Sequence, residues 1–233
     1  GHISPGLALA EALRQHNIDV RWLGAANGME CEKVPVHDIP LDQIRIKGLR
    51  GKGVAGWAAL PFRLLRAVRE AAAAMRRHPP GCAVSFGGYV AGPGGLAARL
   101  KGVPLVVHEQ NRIPGMTNKA LSHLAQTVLQ AFDGAFPNAL TCGNPVRADV
   151  AALEEPALRW ADRSGKARLL ITGGSQGARA LNELLPEAIA RLPESARPLI
   201  QHQAGEAGCD ATAARYHDLG VEAAVSPFID DMA

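Results

Sequence analysis

Four consecutive polar side chains, His108-Glu109-Gln110-Asn111, follow the apolar run Val103-Pro104-Leu105-Val106-Val107 and precede Pro114-Gly115-Met116-Thr117-Asn118-Lys119. Glu109 can serve as a general base or as a hydrogen-bond acceptor. Asn111, Thr117 and Asn118 can hold sugar hydroxyls or a pyrophosphate. Capping of the following helix is the competing structural reading. A second cluster, Gly173-Gly174-Ser175-Gln176-Gly177-Ala178, sits between the run Ala167–Thr172 and the helical pattern that follows it. Its glycines let the backbone approach a ligand closely. The free N–H groups at the start of the next helix favour an anion, and Ser175 adds a hydroxyl donor. This loop is not a Walker A motif, because no Lys-Ser/Thr follows. It is a poor dinucleotide fingerprint as well: the G-x-G-x-x-G spacing is absent, and the next strand ends in Gln203 instead of an acid. The segment Phe86–Gly95 holds five glycines, at 87, 88, 92, 94 and 95. It reads as a second anion-facing loop with Tyr89 as a polar handle, or as a flexible loop. His2, at the entrance of the first helical pattern, can donate to a phosphate or accept a proton near neutral pH; a purely structural role is the alternative.

These residues need elements to position them. Predicted strands cover Asp19–Leu23, Cys82–Phe86, Leu105–His108, Thr127–Gln130, Arg168–Thr172, Leu199–Gln203 and Glu222–Ser226. Predicted helices cover Pro5–His16, Gly56–Arg77, Gly94–Lys101, Gly115–Ala125, Ala178–Leu192 and Asp210–Leu219. Strand and helix in alternation give βαβ units and parallel sheets covered by helices. Ligands of such sheets bind beyond the carboxyl ends of the strands, where each motif above falls. The segment Gly143–Arg147 and the polar stretch to Lys166 separate two blocks, so a domain boundary is expected near residue 147, giving domains 1–147 and 148–233. The second block has three predicted strands, fewer than a finished doubly wound domain. With a first residue that is not Met, the expectation is a fragment cut at both ends.

Composition narrows the function classes. The 233 residues are 47% hydrophobic and 20% charged, which suits globular domains. Aromatic residues make up 4%, too few for base-stacking nucleic-acid readers. The four cysteines, at 31, 82, 142 and 209, form no CxxC pair, which argues against a zinc site or a disulfide scaffold and for a reducing, cytosolic compartment. No apolar run reaches the roughly 18–20 residues of a membrane span. The net charge of +3 hides an asymmetry. Residues 1–147 carry 17 basic and 9 acidic side chains, whereas residues 148–233 carry 8 and 13. Residues 45–77 alone hold nine basic groups against one acid, interleaved with Trp57, Leu60, Phe62, Leu64 and Leu65. Such a stretch suits an anionic membrane surface, or else a solvated helix with its apolar face in the core, with nucleic acid as a third reading.

The segments GHISPGLALAEAL, IRIKGLRGKG, SFGGYVAGPGG, VVHEQNRIPGMTNK, CGNPVR, TGGSQGARALNELLP and SPFIDDMA occur in this order along the whole chain. Together they closely resemble the MurG family, the bacterial peptidoglycan N-acetylglucosaminyltransferases. The resemblance implies an α/β fold of GT-B type, two Rossmann-like parallel-sheet domains facing across a cleft, the second truncated. It implies transfer of GlcNAc from UDP-GlcNAc to the C4 hydroxyl of the muramyl sugar of lipid I, giving lipid II with inversion. It places the enzyme peripherally on the cytoplasmic face of the inner membrane and requires neither cofactor nor metal. His2 matches the histidine that ends the family's first glycine-rich loop. Tyr89, His108, Glu109, Asn111 and Asn118 match acceptor-side positions. Arg147, Ser175, Gln176 and Gly177 match the donor side, and Ile229 matches the position whose backbone pairs with uracil. The general base is His2 or Glu109, and the sequence leaves the choice open. The implied partners are UDP-GlcNAc, lipid I and an anionic membrane surface through residues 45–77, with no nucleic acid. UDP-GlcNAc 2-epimerases on the same fold, a non-enzymatic anion-binding module and an NAD-dependent oxidoreductase are the alternatives.

Overall fold

The computed structural model describes residues 2–46, 60–161, 163–174 and 177–229. The chain divides into two compact units, His2–Ala148 and Asp149–Ala233.

The first unit opens with α1 (Ile3–Gln15), β1 (Trp22–Ala25), α2 (Glu30–Lys33) and β2 (Leu41–Ile44). It continues through α3 (Leu60–Arg77), β3 (Ala83–Ser85), α4 (Ala91–Leu100), β4 (Leu105–Glu109), α5 (Met116–Ser122), β5 (Thr127–Gln130), β6 (Leu140–Thr141) and α6 (Ala148–Ala151), the last crossing into the second unit. All its strand pairs are parallel: β1 with β2, and β3 through β6 in sequence order. Leu105, Val107 and Leu121 form a core cluster on the second sheet, with Ala83 and Val128 packed against it, and the first sheet has its own. Ala25 and Ile44, at the ends of β1 and β2, pack with Ala67, Val68 and Ala71 of α3 and with Val90 and Ala97 at α4. Small residues on α3 at positions 67, 71 and 74 bring that helix close to the sheet, so Ile44 becomes fully buried.

The second unit holds α7 (Pro156–Trp160), β7 (Arg168–Thr172), α8 (Arg179–Ala190), β8 (Leu199–Gln203), α9 (Cys209–Asp218) and β9 (Ala224–Ser226). Its sheet is parallel with order β7-β8-β9. Ile171, Ile189, Ile200, Tyr216 and Val221 form its core. All four cysteines are free thiols. Among the described residues no helix is long and apolar enough to cross a membrane.

The structure shifts several elements from their predicted places. The strand predicted at Asp19–Leu23 begins instead at Trp22. Its ladder starts only where β2 offers a partner, with Trp22 N–H donating to Pro40 C=O at 2.9 Å. Strand β2 itself escapes the sequence pattern because Leu41-Asp42-Gln43-Ile44 shows no alternation, and of these four only Ile44 is buried. Strand β6 is two exposed residues long, below what periodicity detects. The Gly-rich stretch divides in two. Gly87 and Gly88 form a turn, but Gly92, Gly94 and Gly95 lie inside α4. There a Cβ at Gly94 would come within 2.8 Å of Leu23, and one at Gly95 within 2.7 Å of Leu121. Gly94 and Gly95 thus serve close helix packing. The predicted start of the basic helix, residues 56–59, lies outside the described residues.

Candidate functional site

In the first unit the site is built at the carboxyl ends of β3 and β4. Strand β4 carries His108 and Glu109 as its last two residues, and both are buried, at 3% and 1% exposure. Because side chains alternate along a strand, the two point to opposite faces of the sheet. Burying an uncompensated carboxylate would cost several kcal/mol. Glu109 avoids this cost through four hydrogen bonds. Its Oε1 accepts from Asn111 N–H at 3.0 Å and from Asn111 Nδ2 at 2.9 Å. Its Oε2 accepts from Gly115 N–H at 3.1 Å and from Asn118 Nδ2 at 3.0 Å. Burial pushes the Glu109 pKa up, but the hydrogen bonds from Asn118, Asn111 and Gly115 outweigh it and hold the carboxyl below its ordinary 4.5. The carboxylate thus ties the loop 110–115 and the start of α5 to the end of β4.

Asn118, 1% exposed, completes the frame. Its Nδ2 also donates to His108 C=O at 3.1 Å, and its Oδ1 accepts from Ser85 Oγ at 3.0 Å. Gly87 N–H donates to the same Ser85 Oγ at 3.2 Å, which draws the glycine turn onto the strand ends. His108 packs on Phe86 with ring centroids 5.4 Å apart, and its Nε2 lies 2.9 Å from Gly143 C=O. His2, exposed at the start of α1, rests its ring against the turn. Its Cδ2 is 3.3 Å from where a Gly88 Cβ would stand. Both Gly87 and Gly88 have positive φ, at 93° and 84°, so a side chain there would be strained as well as crowded. Gln110 lies between the two histidines: its Oε1 is 3.2 Å from His2 Nδ1, and its Nε2 is 3.2 Å from His108 Nδ1 and 2.7 Å from His108 C=O. Asn144 Nδ2 donates to Gln110 C=O at 3.3 Å. Tyr89 stands apart, 44% exposed, with its pKa raised by burial and by the nearby Glu30 and Cys31 charges. Arg147 is half-buried near the end of the first unit.

The second unit repeats the strand–glycine loop–helix arrangement at β7 and α8. Ser175 and Gln176 lie outside the described residues. Gly174 and Gly177, at φ 76° and 71°, flank them, and Gly177 N–H donates to Gly174 C=O at 2.9 Å. The loop is pinned to the end of β8. Gln203 Nε2 donates to Gly174 C=O at 2.8 Å, and a Cβ at Gly177 would stand 2.5 Å from the Ala204 carbonyl carbon. Below it runs a buried chain. Asn182 Nδ2 donates to Ala204 C=O at 2.8 Å, so Asn182 Oδ1 faces His202 Nε2 at 3.1 Å and accepts from it. His202 Nδ1 then accepts from the Tyr216 hydroxyl at 3.1 Å. Ile229 is buried just past β9. Sequence reading assigned no role to Gln110, Asn144, Gln203, His202 or Asn182. Gln110 and Asn144 fall inside segments already conspicuous for polarity. His202 and Asn182 belong to a strand and a helix whose patterns read as ordinary.

His202 gives this loop a pH dependence. Burial lowers its pKa below the ordinary 6.5. The neutral, hydrogen-bonded form therefore contributes stability that is present above pH 6.5 and is lost as pH falls through the lowered value. Melting temperature is expected to drop between pH 7.5 and 5.5, and His202→Gln, which does not titrate, is expected to flatten that limb. An unchanged limb in the variant would assign the pH dependence elsewhere.

Helix α3 presents a different surface. Its buried positions, 67, 68, 71 and 74, form one face. On the other side Phe62 is 79% and Leu65 49% exposed, beside exposed Arg63, Arg66 and Arg69. Arg66 pairs with Glu70 at 2.9 Å and Arg77 with Asp42 at 3.0 Å. Trp57 and the basic residues at 47, 50 and 52 lie outside the described residues. Among the described residues no group of three or more His, Cys, Asp or Glu side chains is placed to hold a metal ion.

Comparison with known proteins places this geometry. The glycosyltransferase family 28 N-terminal domain matches residues 1–130, and the C-terminal domain of the same family matches residues 168–233. A relative from Xanthomonas euvesicatoria pv. vesicatoria is named UDP-N-acetylglucosamine–N-acetylmuramyl-(pentapeptide) pyrophosphoryl-undecaprenol N-acetylglucosamine transferase. It is 54% identical over all of this chain, which spans 54% of that relative's length. The crystal structure of Acinetobacter baumannii MurG superposes with a TM-score of 0.75 at 39% identity, covering 100% of this chain and 66% of that one. A UDP-GlcNAc 2-epimerase from Neisseria meningitidis reaches a TM-score of 0.60 at 11% identity over 98% of this chain and 69% of its own, a likeness of fold alone. The two parallel-sheet units are of GT-B type, and the chain belongs to glycosyltransferase family 28.

Proposed function

We propose that the whole protein transfers GlcNAc from UDP-GlcNAc to the C4 hydroxyl of the muramyl sugar of lipid I, forming lipid II at the cytoplasmic face of the membrane. The observation that carries this reading is the first unit's strand-end site. An exposed histidine is seated on a glycine turn beside a loop that a buried carboxylate holds in place. His2 takes the role of base. It is exposed, whereas the Glu109 carboxylate is buried, hydrogen-bonded through both oxygens and held at a lowered pKa, which makes it a weak proton acceptor. The reaction is an in-line displacement. The acceptor oxygen bonds to the anomeric carbon as its proton passes to His2. The bond from that carbon to the UDP oxygen breaks, and its electron pair leaves on the β-phosphate.

The other residues are assigned roles on the pattern of the family they resemble. Tyr89 and Asn111 are exposed on the acceptor side, while His108, Glu109 and Asn118 shape that side from beneath. The loop of Ser175, Gln176 and Gly177 takes the donor diphosphate, whose growing charge needs N–H donors, and Arg147 is assigned to the donor side by the family resemblance alone. The backbone at Ile229 meets the uracil. A lipid-linked acceptor stays in the bilayer, so the protein must come to it. The outward face of α3 suits that docking: each arginine near an anionic surface is worth about 1 kcal/mol, and Phe62 and Leu65 add apolar insertion.

The test combines transfer and docking in the whole protein. Label from UDP-GlcNAc is expected to appear in lipid II, and His2→Ala is expected to lower turnover by at least about a hundredfold. Arg63→Glu with Arg69→Glu is expected to weaken co-sedimentation with phosphatidylglycerol vesicles by roughly 30-fold or more, from the loss of about 2 kcal/mol. Wild-type turnover in His2→Ala removes His2 from the chemistry. Unchanged vesicle binding in the arginine variant removes α3 from docking.

A further inference from the structure

We infer that Gln110 is a positioning residue that sets the protonation pattern of His2, leaving Nε2 as the nitrogen free to take a proton. The inference rests on the proposed role of His2 as base. It is argued from the polarity of a hydrogen-bonded line: Gly143 C=O, His108, Gln110 and His2.

Two backbone carbonyls fix the direction of that line, because a carbonyl can only accept. At one end His108 Nε2 lies 2.9 Å from Gly143 C=O and must carry the proton. Neutral His108 then has a lone pair on Nδ1, which needs a donor. In the middle, one terminal atom of the Gln110 amide lies 2.7 Å from His108 C=O and 3.2 Å from His108 Nδ1. Both partners accept, so this atom is the amide nitrogen, and its two hydrogens satisfy them both. The other terminal atom is therefore the oxygen. It lies 3.2 Å from His2 Nδ1, so it accepts, and Nδ1 of His2 carries the proton. Among the described residues no hydrogen bond engages His2 Nε2, which in neutral His2 holds the lone pair. An amide rotated the other way would set its oxygen against the His108 carbonyl and the His108 Nδ1 lone pair.

The remaining contacts keep the line in place. Asn144 Nδ2 donates to Gln110 C=O at 3.3 Å, fixing the backbone behind the amide. The loop that carries Gln110 is the one Glu109 anchors through Asn111 and Gly115. The His2 ring lies against Gly88, whose missing Cβ leaves the ring its place. In the proposed step, the acceptor hydroxyl's proton moves to His2 Nε2, and the resulting imidazolium keeps its Nδ1–H on Gln110 Oε1. No second proton has to move when the sugar is transferred.

Nitrogen-15 NMR of histidine-labelled protein in alkaline buffer tests the inference without reference to activity. Wild type is expected to show a protonated Nδ1 and an unprotonated Nε2 at His2, with the reverse at His108. Gln110→Met, close in shape but without the amide, is expected to let His2 move to the Nε2–H form or a mixture of the two. In the transfer assay it is expected to lower kcat by at least about tenfold, with KM for UDP-GlcNAc within about threefold. Gln110→Glu keeps an acceptor for His2 Nδ1 but loses the donor to His108, so it is expected to keep the His2 pattern while changing the pattern at His108. It serves as the second variant if Gln110→Met melts early. A wild-type His2 with its proton on Nε2, or a pattern that Gln110→Met leaves unchanged, overturns the inference. A protein with the expected nitrogen pattern but no transfer overturns the proposed function and leaves the positioning by Gln110 standing.

Discussion

Replacing Glu109 by Gln is expected to destabilise the first unit by about 2–4 kcal/mol and to cut turnover of the whole protein by orders of magnitude, although the two side chains have the same shape. The reason is polarity. All four groups that face the carboxylate are donors, two from Asn111, one from Gly115 and one from Asn118. An amide turns one of the two oxygens into a fifth donor group. At least one buried N–H then loses its partner, and the loop 110–115 comes away from α5.

Urea unfolding of Glu109→Gln measures this structural role, with a lowered midpoint expected; an unchanged or raised midpoint would overturn it. The pH profile supplies a second reading. The lowered Glu109 pKa means that its stabilisation is present above the ordinary 4.5 and is lost as pH falls through the folded value. The variant is expected to lack that acid limb.

Gly177→Ala is expected to be as disruptive in the second unit, costing about 3–5 kcal/mol and abolishing binding of UDP-GlcNAc. Two effects combine. At φ 71° an alanine is strained by about 1 kcal/mol. Its Cβ would also collide with the Ala204 carbonyl, which is backbone at the end of β8 and cannot turn aside as a side chain would. Ala204 C=O in turn accepts from Asn182 Nδ2, so displacing it disturbs the buried His202 chain. Gly165→Ala is the control. Gly165 has φ 90° but nothing within 4 Å of its Cβ position, so only the strain applies. Thermal melts of the two variants are expected to differ by several degrees or more, with calorimetric titration of UDP-GlcNAc failing only for Gly177→Ala. Equal melting shifts would mean that β8 gives way to the new methyl group.

The sequence by itself determined the alternation of strands and helices, and hence parallel sheets with their ligand edges at the strand ends. Six of the nine strands among the described residues match their predicted runs to within two residues at either end, among them β4 and β8, whose terminal polar residues build the two sites. For β4 the legibility has a physical cause: a strand buried on both faces must be apolar along its length, so a polar residue at its end stands out. Strands β2 and β6 were not legible, because Asp42-Gln43 and exposed Leu140-Thr141 carry no burial signal, and the parallel partner alone makes them strands.

The tertiary structure decided what each polar residue does. His108, Glu109, Gln110 and Asn111 form one polar run in the sequence, with nothing there to tell their tasks apart. In the fold His108 and Glu109 are buried and satisfied by protein partners, and Gln110 joins two histidines 106 positions apart in the chain. The glycines at 87 and 88 seat the His2 ring, whereas those at 94 and 95 admit Leu23 and Leu121. A hydrogen bond depends on direction and on which neighbour arrives from a distant part of the chain, and composition and spacing record neither. Apolar burial depends mainly on pattern and area, and for that reason the sequence states it openly.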